Sequence, residues 1–327
     1  MVRIVSIDGG GYLGLATATL IEEIERHYGK TFHESFDLFC GTSTGAIIAL
    51  ALASGMTGKE VNNLYQKFGA KVFRNPFPGC RQLRMLRGLL FSAYSNTGLQ
   101  ESLTDAFGNL TLGDLRRKNK RVLVTSFCTT TGKPRVFKTD HSSDLTRDDG
   151  YLVRDVALAS SAAPIYLPVV KLCAPTNGIE ERYCDGGVFS NHPALLGYAE
   201  AVSHIGCNPQ DVRILSLSTP RASLSETATA GNAFSRFLLS RGLLVWGSKL
   251  AGVMIDATSI IAHETLRRLT DWQSGSGARY VRISLEKPSG TGLDIATPEA
   301  TMALRQVGYA QACQTECRNQ LAIFFRN

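Results

Sequence analysis

Short apolar runs rich in β-branched residues alternate along the chain with longer segments of helical periodicity. The runs Val2 to Ile7, Phe36 to Cys40, Arg121 to Phe127, Val136 to Lys138, Val169 to Leu172, Arg182 to Cys184, Val212 to Leu217 and Tyr280 to Leu285 predict strands. Between them, Leu13 to His27, Thr44 to Ser54, Lys59 to Phe68, Leu99 to Phe107, Leu152 to Ala159, Pro193 to Ile205 and Pro298 to Leu321 predict helices. The last has a clean start, with Thr297 as N-cap, Pro298 at the first helical position and Glu299 in the first turn. This alternation predicts an α/β domain whose mainly parallel sheet is covered by helices on both faces. Two segments fit it poorly, residues 71–97 and 221–279, and read as insertions on a single domain spanning residues 1–327. The second surrounds an apolar stretch, Phe234 to Ile255, that includes Trp246 and suits either a lid or a core or subunit-contact helix.

At 44% apolar and 19% charged residues, the chain of 327 is globular in character, which excludes collagen-like, disordered and disulfide-scaffold classes. The longest apolar run, Ala46 to Ala53, falls short of the about 20 residues a membrane span needs. Val2 to Ile7 runs directly into Asp8-Gly9-Gly10-Gly11, leaving no room for a signal peptide, so a cytoplasmic protein is expected. Eight cysteines without C-x-x-C pairs imply neither disulfides nor zinc, and no metal or other cofactor is expected. The net charge of +7 is concentrated, because residues 59–121 alone carry +8. Such a field attracts lipid headgroups, nucleotides or nucleic acid, or else is a solvated face; no DNA partner is expected.

Gly41-Thr42-Ser43-Thr44-Gly45 stands between a strand and an apolar helix, the context of a nucleophile elbow. Only small residues fit beside so sharp a turn, and Gly41 and Gly45 supply them. Gly9-Gly10-Gly11-Tyr12-Leu13-Gly14 follows the first strand and opens the first helix, where consecutive N–H groups suit an oxyanion. The same letters satisfy the dinucleotide fingerprint, against which Asp8 counts as a carboxylate that would repel a pyrophosphate. Asp185-Gly186-Gly187 places a carboxylate at a strand end, and equally suits a hairpin turn. His192, seven residues further on, is a base for a Ser-His-Asp triad or a local hydrogen-bonding residue at a helix start.

Taken in order, Asp8-Gly9-Gly10-Gly11-x-x-Gly14, Gly41-x-Ser43-x-Gly45 and Asp185-Gly186-Gly187 resemble the patatin-like phospholipase family, as does the stretch Ser160 to Pro168. The resemblance covers about residues 1–220. It implies a three-layer α/β/α fold and a Ser43–Asp185 dyad without histidine. Asp185 would take the Ser43 proton, Ser43 would attack an acyl ester, and the N–H groups of Gly9, Gly10 and Gly11 would hold the oxyanion. Leu13 stands where the family usually carries Arg or Lys, and His192 where a second Asn is common.

The implied substrate is a membrane phospholipid, met at the inner face of the membrane by a peripheral protein; a soluble esterase or thioesterase would use the same chemistry. A phospholipase inside a cell must be latent until signalled, and some bacterial members of the family are antiviral effectors switched on by cyclic oligonucleotides. Lys71, Arg74, Arg81, Arg84 and Arg87, interleaved with Phe73, Phe77, Phe91 and Tyr94, are the expected activator site, by charge and by stacking of a base. Activation would order this segment or assemble a homo-oligomer.

Overall fold

The computed structural model describes residues 1–72, 92–140, 147–221, 243–271 and 279–326. The chain opens with β1 (Val2–Ile7), a 3-10 turn (Gly11–Leu13), α1 (Gly14–Tyr28), α2 (Phe32–Ser35), β2 (Leu38–Thr42), α3 (Thr44–Ser54) and α4 (Gly58–Val72). It continues through α5 (Thr97–Phe107), α6 (Leu112–Arg117), β3 (Arg121–Cys128), β4 (Lys133–Lys138), α7 (Val153–Ser160), β5 (Val170–Cys173), β6 (Glu180–Asp185), α8 (Gly187–Ser190) and α9 (Ala194–Ser203). The remainder is β7 (Val212–Leu217), α10 (Leu243–Asp271), β8 (Tyr280–Ile283), α11 (Pro298–Cys313) and α12 (Thr315–Phe325). All eight expected strands are present.

The strands form one sheet in the order β5-β6-β3-β2-β1-β7-β8, with β4 on the other edge of β3. Neighbours from β3 through β2, β1 and β7 to β8 are parallel, whereas β4, β5 and β6 pair antiparallel. Side chains alternate between two cores, as the period of two demands. Val5, Ile7, Phe39, Val122, Val124, Leu215 and Leu217 join the larger core with α1, α3, α4, α11 and α12. Ile4, Leu38, Cys40, Leu123 and Ile214 face the other way, onto Ala194 and Ala201 of α9 and Leu266 of α10. Both faces being covered, the strands read as apolar runs. The sheet sandwiched between helices is the three-layer architecture the resemblance implied.

Thr44 through Ala53 of α3 are all buried, which explains why that helix is apolar all round. It stops at Gly55, whose φ of 106° only glycine adopts without strain, and whose N–H caps Ala51 and Leu52 carbonyls. The segment Pro298 to Leu321, expected as one helix, is two. Gln314 has extended backbone, with φ −65° and ψ 129°, and the chain turns there. The turn delivers Phe324 and Phe325 to an aromatic cluster with Tyr28, Phe32 and Phe36. Part of the second poorly fitting segment is α10, which packs on α8, α9 and β8 within the helix layer of the smaller core. Phe234 to Arg241 and the side chain of Trp246 lie outside the described residues. Among those described, no helix is long and apolar enough to cross a membrane.

Phe324 is fully buried and stacked on Phe36 at 5.6 Å between ring centroids. Phe324→Ala is therefore expected to lower stability by about 3–5 kcal/mol, read from urea unfolding.

Candidate active site

Ser43 occupies the corner between β2 and α3 with φ 55° and ψ −125°, a conformation that non-glycine residues adopt only under constraint. The constraint is close packing. A Cβ at Gly41 would lie 2.4 Å from the Gly45 carbonyl oxygen, and one at Gly45 would lie 2.1 Å from the Ile7 carbonyl oxygen. The corner is thus pressed against the end of β1 at points where no side chain fits. The Ser43 N–H donates to Ser160 Oγ at 2.8 Å, which holds the corner from the other side.

Strand register brings Asp185 to Ser43. β3 outruns β2, pairing Thr125 with Thr42 and then, antiparallel, Ser126 with Asp185 of β6. The last residue of β6 therefore stands beside the first residue after β2. Gly186 lets this contact close, since a Cβ there would meet Thr125 Oγ1 at 2.3 Å. The Asp185 N–H donates to the Ala162 carbonyl at 2.9 Å, and its Oδ1 accepts the Gly187 N–H at 2.7 Å. The Ser43 hydroxyl and the Gly187 N–H both favour the charged form of this carboxylate. Burial pushes the Asp185 pKa up to about 6 against their opposing pull. A carboxylate in that range suits a general base near neutrality.

The glycine loop borders the serine, for a Cβ on Gly9 would lie 3.2 Å from Ser43 Cβ. The Gly9 carbonyl accepts Thr219 Oγ1 at 2.6 Å, and the Gly9 N–H donates to the Asn191 carbonyl at 3.2 Å. Gly9 is thereby corrected as an oxyanion donor, because its proton is already engaged. Gly10 and Gly11 remain, their N–H groups making no hydrogen bond among the described residues. Gly11 has φ 56°, and a Cβ there would meet the Leu293 carbonyl at 2.3 Å; at Gly10 it would meet Thr219 Oγ1 at 2.3 Å. The close approach that the dinucleotide fingerprint reserves for a pyrophosphate is taken by the protein's own chain. Gly14 packs on Thr44, with 2.5 Å to its Oγ1 from a Cβ, and Leu13 is buried in the larger core.

Asp8 does not repel anions as the sequence suggested. Its fully buried carboxylate is paired with Arg282 at 2.7 Å, with His192 Nδ1 at 2.9 Å and with Arg221 at 3.5 Å. Burial alone would raise its pKa, but Arg282, then His192 and Arg221, hold it well below the carboxylate range. His192 is 1% exposed, touches Asp8, Arg282 and, through Nε2, the Tyr280 hydroxyl at 3.2 Å, and its pKa is lowered chiefly by burial against the opposing pull of Asp8. It is the hydrogen-bonding residue of the two readings. Asn191 and Arg282 escaped the sequence, as did the bond that Ser160, first of the stretch Ser160 to Pro168, makes to the Ser43 N–H. Arg282 had a signal, as a lone charge inside an apolar strand run.

Arg74, Arg81, Arg84 and Arg87 lie outside the described residues, as do Phe73, Phe77 and Phe91. Lys71 is exposed at the end of α4 and pairs with Asp105 at 3.7 Å. Tyr94 is 2% exposed and donates to Asp294 Oδ2 at 2.8 Å, so it offers no face for stacking a base. Of the described cations between residues 59 and 121, Arg116 pairs with Asp149 and Arg117 with Asp114, while Lys118 and Lys120 cap the carbonyls of Ser54 and Phe36. Because Arg121 pairs with Leu38, this group sits at the amino end of β2 and β3, opposite the end that carries Ser43.

Residues 5–197 match the family model of patatin-like phospholipases. The chain is 35% identical over 270 residues to the cGAMP-activated phospholipase of Pseudomonas aeruginosa, an alignment covering 81% of this chain and 74% of that one. It is 31% identical over 351 residues to the cGAMP-activated phospholipase of Vibrio cholerae, covering 99% and 94%. Similarity to the cUMP-AMP-activated phospholipase of Escherichia coli is 28% over 222 residues, covering 66% and 63%.

The raised pKa of Asp185 carries a stability cost. A carboxyl whose pKa is higher in the folded than in the unfolded state favours folding below its unfolded value, and that contribution is lost as pH rises through about 6. Asp185→Asn is therefore expected to stabilise the protein by about 1–3 kcal/mol at pH 8 and to have little effect below pH ~4, measured by denaturant unfolding across pH.

Proposed function

Because the chain belongs to the patatin-like phospholipase family, we propose that it cleaves fatty acyl esters of membrane phospholipids with Ser43 as nucleophile and Asp185 as its base. The observation that carries this reading is the strand register that sets the buried Asp185 carboxylate, its pKa raised by burial, beside Ser43 at a strained strand-to-helix corner. Asp185 takes the proton as Ser43 Oγ attacks the ester carbonyl, and the Gly10 and Gly11 N–H groups receive the oxyanion. As the tetrahedral adduct collapses, the protonated Asp185 returns its proton to the leaving lysophospholipid oxygen. Asp185 then deprotonates water, which attacks the acyl-enzyme; as the second adduct collapses Asp185 returns that proton to Ser43 Oγ, and the fatty acid is released. Ser160 fixes the corner throughout, and His192 takes no part in the proton transfers.

Ser43→Ala and Asp185→Asn are expected to abolish hydrolysis of phospholipid vesicles with the fold retained, by circular dichroism. His192→Ala should lower the melting temperature far more than kcat. Since only ionised Asp185 is a base, kcat/KM should fall about tenfold per pH unit below pH ~6 and be level above it. A comparable loss of kcat in His192→Ala, or a level profile between pH 4 and 8, would overturn the dyad.

The names of the relatives support a further element of this reading, that a cyclic oligonucleotide switches the enzyme on; a role in antiviral defence and action at the inner face of the membrane belong to the same proposal. The basic segment from Lys71 to Arg87 is the proposed receiver. Such a ligand acts only by binding the active arrangement more tightly than the inactive one. Vesicle hydrolysis is expected to rise at least tenfold with cGAMP or cUMP-AMP, and the response to be lost in Arg81→Glu and Arg84→Glu. Full activity without nucleotide, unchanged by either, would refute activation while leaving the hydrolase intact.

A further inference from the structure

Three large apolar side chains stand out from the segments that border Ser43 and Asp185, Ile165 and Leu293 on loops and Val188 on α8, and the chemistry uses none of them. Ile165 is 61% exposed, and Val188 and Leu293 are each 40% exposed. Ile165 lies on the loop after α7, whose last residue Ser160 holds the Ser43 N–H through its hydroxyl, and on that loop the Ala162 carbonyl holds the Asp185 N–H. Val188 follows Asp185 by three residues. Leu293 accepts the Tyr12 N–H at 2.8 Å and covers Gly11.

Two of the three are tied together. The Ala93 N–H donates to the Ile165 carbonyl at 2.8 Å, the Tyr94 N–H to the Tyr166 carbonyl at 2.9 Å, and the Tyr94 hydroxyl to Asp294 beside Leu293 at 2.8 Å. Residues 93 and 94 thus act as a strap between the loop of Ile165 and the loop of Leu293. Ile165 is also strained, with φ 74°, a region that a β-branched residue enters only when its surroundings dictate it. An apolar side chain is held outward against both its backbone preference and the hydrophobic effect.

We propose that Ile165, Val188 and Leu293 form the surface that enters a phospholipid bilayer and brings the ester to Ser43. This rests on the phospholipase reading above. The chains of a phospholipid lie in the bilayer and its esters at the base of the headgroups, so the protein around the nucleophile must reach that depth. Apolar side chains are the ones that can. The paired and capping cations from Arg116 to Lys120 lie at the other end of the strands and do not share this surface.

The test uses vesicles of phosphatidylethanolamine and phosphatidylglycerol, with and without cGAMP. Flotation measures binding in the Ser43→Ala background, and hydrolysis of the vesicles is compared with hydrolysis of p-nitrophenyl butyrate in the active protein. The double variant Ile165→Ser, Leu293→Ser and the single variant Val188→Ser are expected to lose about tenfold or more in vesicle binding and hydrolysis. Their butyrate hydrolysis and melting temperatures should be unchanged. Ile165→Gly, which relieves the strain, should melt no lower than the wild type and still bind vesicles less tightly, separating the role of the side chain from folding. Undiminished vesicle binding in these variants would overturn the proposal. So would an equal loss on both substrates, or a changed oligomeric state with vesicle binding kept, which would make the patch a subunit contact. A wild type that binds vesicles without cleaving them refutes the phospholipase reading alone, and the binding comparison still decides the role of the rim.

Discussion

The buried carboxylate of Asp8 is the point on which the catalytic end of the sheet depends. An unpaired charge with no exposure to water would cost several kcal/mol, so the chain must bring partners to it. They come from far apart: Arg282 from β8, His192 from the start of α9, and Arg221 from the exit of β7. Arg221 also reaches Asp256 of α10 at 3.5 Å, and the Tyr280 hydroxyl reaches His263 of the same helix at 2.8 Å. Satisfying one anion therefore sets the relative positions of two strand ends and two helices. Asp8 immediately precedes the glycine loop, so the loop inherits that fixity. Asn191, the neighbour of His192, takes up the Gly9 N–H, and Thr219, two residues before Arg221, takes up the Gly9 carbonyl.

With the loop held from behind, the Ser43 corner is held from the front. Its unusual backbone persists because Gly45 packs on the Ile7 carbonyl and Ser160 accepts the Ser43 N–H. On the proposed function the dyad needs no third member, because desolvation does the work that a histidine does elsewhere. Asp185, pushed up to about 6, is basic enough to accept a proton and acidic enough to return it near neutral pH. A histidine is present in the neighbourhood, yet it is committed to Asp8 and serves the scaffold.

The strands were legible in the amino-acid sequence because a sheet covered on both faces needs continuous apolar runs, and Val2–Ile7 and Val212–Leu217 match their runs residue for residue. Phe32–Ser35 and Gly187–Ser190 were not legible, being single turns too short to show a period. Gln314 was hidden for the opposite reason, since both halves of the run around it keep helical spacing. Ser43 and Asp185 were legible because glycines mark the places where backbones touch. The glycines could not reveal which N–H groups stay free, because the partner of Gly9 is a carbonyl 182 positions away. The Asp8–Arg282 pair spans 274 positions, and no local pattern tells which of 35 cations meets a given carboxylate.

Charge concentration along the sequence suggested how a membrane would be met, and the fold redistributes that charge. Arg116 to Arg121 stand at the amino end of the strands, so attraction through them alone would turn the mouth of the site away from an anionic bilayer. Their pull is also weakened, since Arg116 and Arg117 are paired and Lys118 and Lys120 cap carbonyls. Each apolar side chain of the rim, roughly half exposed, offers on the order of 1 kcal/mol on burial, against about 1 kcal/mol for each unpaired surface cation. On the proposed function, three such side chains at the mouth would therefore offset the weakened pull of the described cations from Arg116 to Arg121. On the proposed function, charge serves to bring the protein near the membrane, and the short-range apolar contact decides which way it faces.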